Sequence, residues 1–198
     1  MRIDPAKRKL VTKANDMRKL ALVLAVSGSL ALSMTAAPAI AMIETPEAKA
    51  AAADAAAEAH ADMVATFGVD QLKPGQYLWD DEAGDGEARV VVSLSNQMAY
   101  LYRGDRLAAV TTISSGKPGN DTPTGYFPIL EKKPMHRSVK YDNAPMPHMQ
   151  RLDNYGIALH AGMNPGRPAS HGCIRLPAKF AAKLFTVTKV GTPVMIGA

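Results

Sequence analysis

Cys173 is the one cysteine in the chain, and it lies within Ser170-His171-Gly172-Cys173-Ile174-Arg175-Leu176, with His160 thirteen residues upstream. An ordinary thiol, with a pKa near about 8.5, is mostly protonated at neutral pH, so a nucleophilic cysteine needs an imidazole to take its proton. His160 and His171 are both candidates for that base. Gly172, next to the thiol, permits a tight turn and close approach of a substrate to the backbone. Successive N–H groups in such a turn can hold a developing oxyanion, which makes those around Gly172 and Cys173 candidate donors. Arg175 adds a fixed positive charge suited to a substrate carboxylate or a supporting hydrogen bond. These residue types, taken together, describe thiolate attack on a carbonyl.

Two other chemistries fit less well. Ser170 does not stand in a Gly-x-Ser-x-Gly elbow, which argues against a serine hydrolase. His136, His148 and His160 are spaced twelve apart, and zinc accepts such ligands, but His171-x-Cys173 is the sole short-range pairing. No metal is expected.

A mostly-β domain must hold these residues. Arg89 to Ser95, Met98 to Tyr102, Leu107 to Ser114 and Tyr126 to Leu130 are rich in β-branched and aromatic residues and are separated by turn-forming clusters. Gly156 to His160 reads as a short buried strand, and Pro193 to Ile196 as a closing one. Pro177 to Phe185 has helical spacing, with Phe180, Ala181, Leu184 and Phe185 on one side. The stretch Glu131 to Leu152 contains Pro134, Pro145 and Pro147, so an irregular insertion covering the site is expected there, with Tyr141, Met146 and Met149 flanking the cleft. Residues 76–198 therefore read as one domain with one or two short helices.

Ahead of it, residues 42–75 are dominated by Ala. Ala favours helix, but large apolar side chains are nearly absent, so a helix there should bury little. The expectation is a spacer, helical or disordered.

Composition assigns the compartment. The chain has 198 residues with 23 Lys and Arg against 18 Asp and Glu, and a pI near 9.3 suggests nucleic acid or another polyanion as partner. Seven of the basic groups and two of the acidic ones fall within residues 1–41, which leaves sixteen of each. There, basic residues precede the apolar run Leu20 to Met34 and the small-x-small exit Ala39-Ile40-Ala41, the pattern of a secretory signal peptide. The run is shorter than the roughly 20 residues that cross a bilayer as a helix. Cleavage leaves a neutral chain free of the membrane, and the support for nucleic acid disappears. A lone thiol in an oxidising compartment is a liability unless it reacts. The neutral remainder is itself split: Met42 to Ala88 holds two basic and eleven acidic groups, and Arg89 to Ala198 fourteen and five.

Ser-His-Gly-Cys-Ile-Arg-Leu, preceded by His160-Ala161-Gly162, resembles the catalytic motif of the L,D-transpeptidases, the YkuD-like domain family. Val92-Ser93-Leu94-Ser95-Asn96-Gln97 with Tyr100-Leu101-Tyr102, and Thr122-Pro123-Thr124-Gly125-Tyr126-Phe127, resemble two further segments of that family in the same order. The resemblance spans about Val90 to Ile196. It implies a β-sandwich catalytic domain and a cysteine acyltransferase acting on peptidoglycan stem peptides, in the periplasm or cell wall, with no cofactor. Cys173 would be the nucleophile and His160 the base, oriented by the carbonyl of Ala161 or Gly162. His171 and Gly172 would shape the catalytic turn, with Arg175, Ser170, Gly162 and Tyr141 toward substrate. One stem peptide would be donor and another acceptor, giving a 3→3 cross-link. The same thioester permits hydrolysis, as a carboxypeptidase or in releasing a wall-linked protein. A non-catalytic peptidoglycan-binding module is the reading of a different class.

Overall fold

The computed structural model describes residues 43–198, and the export segment expected over 1–41 lies outside them. In chain order these residues form helix α1 (Pro46–Phe67), strands β1 (Tyr77–Trp79), β2 (Ala88–Ser93), β3 (Met98–Arg103), β4 (Arg106–Thr112), β5 (Gly125–Pro128), β6 (Glu131–Arg137), β7 (Pro145–Arg151), β8 (Ala158–Ala161) and β9 (Ile174–Leu176), helix α2 (Ala178–Val187) and strand β10 (Pro193–Gly197). A six-stranded sheet runs β1-β4-β3-β2-β10-β5, and a four-stranded sheet runs β6-β7-β8-β9. The domain is mostly β with two helices, as the strand-like runs imply.

Side-chain alternation divides the core. Successive residues of a strand point to opposite faces, so Val90, Val92, Ala99 and Leu101 enter one cluster while Val91, Met98, Tyr100 and Tyr102 enter another. The first cluster also takes Leu159, Ile174 and Leu176 from the four-stranded sheet, Leu152 from just past β7, and Phe180, Ala181 and Leu184 from α2. The main core thus lies between the two sheets. Phe180 meets Tyr77 and Trp79 edge-on, at centroid distances of 5.8 and 5.6 Å.

The second cluster corrects the spacer reading of residues 42–75. Helix α1 does not bury little: Ala52, Ala56, Ala59 and Met63 are buried, on one helical face against the outer side of the six-stranded sheet. Ala is what makes this possible, because its small side chain lets the helix backbone approach closely. A Cβ added to Gly197 of β10 would lie 2.4 Å from the Ala52 carbonyl oxygen. The Thr45 hydroxyl caps the first turn by accepting from Ala48 N–H, and Gly68, at φ +67°, ends the helix. The Tyr102 hydroxyl donates to Asp62 Oδ2 at 2.6 Å and ties the helix to β3. No helix among the described residues is long and apolar enough to cross a membrane.

A second correction concerns Glu131 to Leu152. Instead of an irregular insertion it forms the β6–β7 hairpin, with Lys133 opposite Met149 and Met135 opposite Pro147. Proline removes a backbone donor and is tolerated where no ladder bond is needed. β6 is an edge strand, and β8 pairs with β7 at Gln150 and Arg151, leaving Pro145 and Pro147 beyond that pairing. Pro134 and the His148 it would face drop out of the register, His148 at φ +54°.

Candidate active site

The parallel pair β8–β9 sets Leu159 beside Ile174 and His160 beside Arg175. Leu159 and Ile174 turn into the main core. The alternate positions, His160, Arg175 and, two residues before it, Cys173, belong to the opposite face by the period of a strand. The thirteen-residue interval between His160 and Cys173 is thereby folded so that Cys173 stands two residues before the register partner of His160, on the same sheet face.

His160 is 6% exposed. Its Nδ1 lies 2.8 Å from the Ala161 carbonyl oxygen, which assigns the proton to Nδ1 and leaves the Nε2 lone pair free to accept. Burial pushes its pKa down; the Ala161 contact works the other way, and the positive charges of Arg175 and His136 add to the lowering. Cys173 is half-buried among Met146, Met149 and Ala158. Its thiol donates to the Gly156 carbonyl at 3.4 Å. Burial pushes the thiol pKa up; the Ala158 N–H and Arg175 oppose this, while Asp153 adds to it. Both shifts favour a resting pair of neutral thiol and neutral imidazole.

A short hydrogen-bond chain builds the turn that carries the thiol. Ser170 Oγ donates to the Cys173 carbonyl and accepts from Gly172 N–H at 3.1 Å. The Gly172 carbonyl accepts from Thr122 Oγ1 at 2.8 Å, and that oxygen accepts from Gly116 N–H. The Ser115 carbonyl accepts the N–H groups of Ala169 and Ser170, while Ser115 itself is clasped by the Gln97 amide. Gly172 is favoured by its φ of +113°, a backbone conformation that side chains resist, and a Cβ there would also displace Ile157 Cδ1, 2.6 Å away. Gly172 N–H is already bonded to Ser170 Oγ, which leaves the N–H of Cys173 as the other candidate oxyanion donor of this turn.

The remaining expected residues divide by place. Arg175 lays its aliphatic stem against Gly162, with Nη1 3.5 Å from the Ala169 carbonyl. His171 is exposed and stacks on Tyr141, which lies in the β6–β7 turn, with ring centroids 4.4 Å apart. Met146 and Met149 sit beside the thiol. Sequence reasoning assigned no role to Thr122, although it stands in a quoted motif, and overlooked Asp153, whose signal was the turn-forming run Asp153-Asn154-Tyr155-Gly156. A separate cavity of about 370 Å³, lined by His60, Asp70, Gln97 and Gly166 among others, contains neither Cys173 nor His160.

Comparison with known proteins places the chain by family and by fold. The family model described as YkuD, the L,D-transpeptidase catalytic domain, matches residues 87–196. The YkuD protein of Bacillus licheniformis is 31% identical over 114 residues, covering 54% of this chain and 64% of that protein. An L,D-transpeptidase from Mycobacterium smegmatis superposes with a TM-score of 0.53 at 23% identity, over 57% of this chain and 59% of its own. L,D-transpeptidase 3 from Mycobacterium tuberculosis, solved with a faropenem-derived adduct, superposes with a TM-score of 0.52 at 19% identity, over 57% and 60%. The last two likenesses are of fold. The chain spans less than two thirds of each of these relatives.

Proposed function

The chain belongs to the YkuD family of L,D-transpeptidase catalytic domains, and from that premise we propose that it is an exported cysteine acyltransferase that cross-links peptidoglycan stem peptides. The observation that carries the reading is the placement of Cys173 and His160 on one face of β8–β9, with His160 Nδ1 held by the Ala161 carbonyl.

In this mechanism the thiol turns from the Gly156 carbonyl toward His160 when a donor stem arrives. His160 Nε2 takes the thiol proton as sulfur bonds to the carbonyl carbon of the third stem residue. The Cys173 N–H supports the oxyanion. Collapse breaks the bond to the terminal D-Ala, whose nitrogen receives the proton from His160. An amine of the acceptor stem then attacks the thioester and loses its proton to His160. The thiolate leaves and recovers that proton. His171 and Tyr141 border the exposed side, and Arg175 supports the Gly162–Ala169 segment and offers its charge to substrate.

Export rests on residues 1–41, and the charge split fits it. Arg89 to Ala198 carries the excess of basic groups, suited to an anionic wall and its carboxylate-bearing stems. Two measurements test the proposal. A carbapenem should add its mass to the protein once, at Cys173; failure to add supports a non-catalytic module. Incubation with a disaccharide tetrapeptide should give cross-linked dimer; tripeptide without dimer means that water, not an amine, resolves the thioester.

A further inference from the structure

Asp153 is 4% exposed and precedes β8 in a loop whose Tyr155 is 86% exposed, with Arg151 Nη1 donating to the Asp153 carbonyl and to Asn154 Oδ1 at its start. One carboxylate oxygen, Asp153 Oδ1, accepts three successive N–H groups: Tyr155 at 2.9 Å, Gly156 at 2.8 Å and Ile157 at 2.8 Å. Leu152 N–H donates to the Ile157 carbonyl and closes the loop at its base. Gly156 sits at φ +101°, a conformation that a side chain resists.

The residues so fixed are those that touch the nucleophile's turn. The Gly156 carbonyl accepts the Cys173 thiol. Ile157 Cδ1 fills the space above Gly172. Ala158, next in the chain, packs with Met146 and Met149 around Cys173.

We propose that Asp153 is a positioning residue for Cys173: its carboxylate sculpts the Tyr155–Ile157 backbone so that Gly156 holds the thiol and Ile157 seats the catalytic turn. This deepens the acyltransferase reading, because it names what keeps the nucleophile in place between turnovers. A second effect comes with the charge. Burial is the main cause that disfavours a thiolate at Cys173, and the Asp153 charge adds to it. Of the other charged or titratable groups nearby, Arg175 of β9 opposes this effect, His160 of β8 lies opposite Arg175 on the same face, and His171 of the turn stacks on Tyr141, while β7 packs Met146 and Met149 against Cys173.

Alkylation of Cys173 by iodoacetamide, followed by intact mass as a function of pH, separates the two effects and requires no turnover. The chain has a single cysteine, so each added mass reports on this thiol. Asp153→Asn keeps an acceptor oxygen and removes the charge; its alkylation midpoint should fall, because a negative charge near the thiol disfavours the thiolate. Asp153→Ala removes the acceptor as well and should slow carbapenem acylation at least tenfold, with the Asn variant closer to wild type. A midpoint unmoved in Asp153→Asn, or acylation equally slow in both variants, would overturn the proposal. Alkylation reports on the thiol whether or not the protein cross-links stems, so the proposal can fail without the acyltransferase reading failing, and conversely.

Discussion

The six-stranded sheet is covered on both faces, by the main core on one and by α1 on the other, whereas the four-stranded sheet gives one face to the core and carries the proposed catalytic residues on the other. β3 is buried at every position except its last, while β6 is largely exposed. In the first sheet both parities of a strand are apolar, as in Val90-Val91-Val92. In the second, Leu159 faces the core while His160, opposite Arg175, takes the other face. The difference teaches that a reactive pair is held most simply where one half of a strand is already committed to packing. The inward side chains fix the backbone, and the backbone aims the outward ones.

Substitutions should keep the two sheets apart: at neutral pH those beside Cys173 change rate with stability nearly constant, and those under α1 the reverse. The largest effect belongs to Cys173→Ala. It removes the nucleophile, so carbapenem addition and dimer formation should both vanish while the Tm stays near wild type; residual turnover would break the assignment. His160→Ala should slow thioester formation by about 10²–10⁴-fold, the loss typical of a general base; a near-normal rate would move that role to His171.

His160 also carries a pH signature. Burial holds its pKa below the ordinary value of about 6.5, so the neutral, accepting form persists to lower pH. The acid limb of kcat/KM should therefore fall below that value, and a limb above it would contradict the buried setting. The same shift has a cost in stability. Below the ordinary histidine pKa the unfolded chain binds a proton that the folded chain refuses, so stability present above that pH is lost as pH falls through the folded value. A urea midpoint that declines over this window in wild type and less in His160→Gln would show it.

On the other sheet, Ala59→Leu should overpack the α1 interface and cost about 1–3 kcal/mol, read as a lower urea midpoint with Cys173 alkylation unchanged. A neutral result would mean that α1 is not tightly packed. The smallest effect is expected of Tyr141→Ala, which removes the ring stacked on His171; a several-fold change in KM with kcat and Tm nearly constant would sharpen the division between positioning and packing.

Much of this could be read from the chain. The alternation from Arg89 to Tyr102 marks two paired strands, because period-two patterning and β-branched residues act locally. The chemistry of Cys173 and His160 is equally plain, since it depends on residue type. Hidden were the features that need a partner. Pro145 and Pro147 argue against a strand until β7 is seen to run past the end of β8. The Ala-rich segment looks unable to bury anything until Gly197 opposite it offers no side chain. Asp153 reads as one more turn residue until its loop meets the thiol.

The amino-acid sequence by itself determined the reagent, a thiol with an imidazole, and the kind of scaffold, strands of alternating face, because both follow from side-chain chemistry and short-range steric preference. Tertiary structure alone decided the working details. It chose Ala161 to orient His160, committed the Gly172 N–H to Ser170, packed α1 onto the sheet, and brought Asp153 beneath the loop that touches Cys173. Each of these is a contact between segments distant in the chain or a competition for one hydrogen bond, and neither is set until the backbone closes.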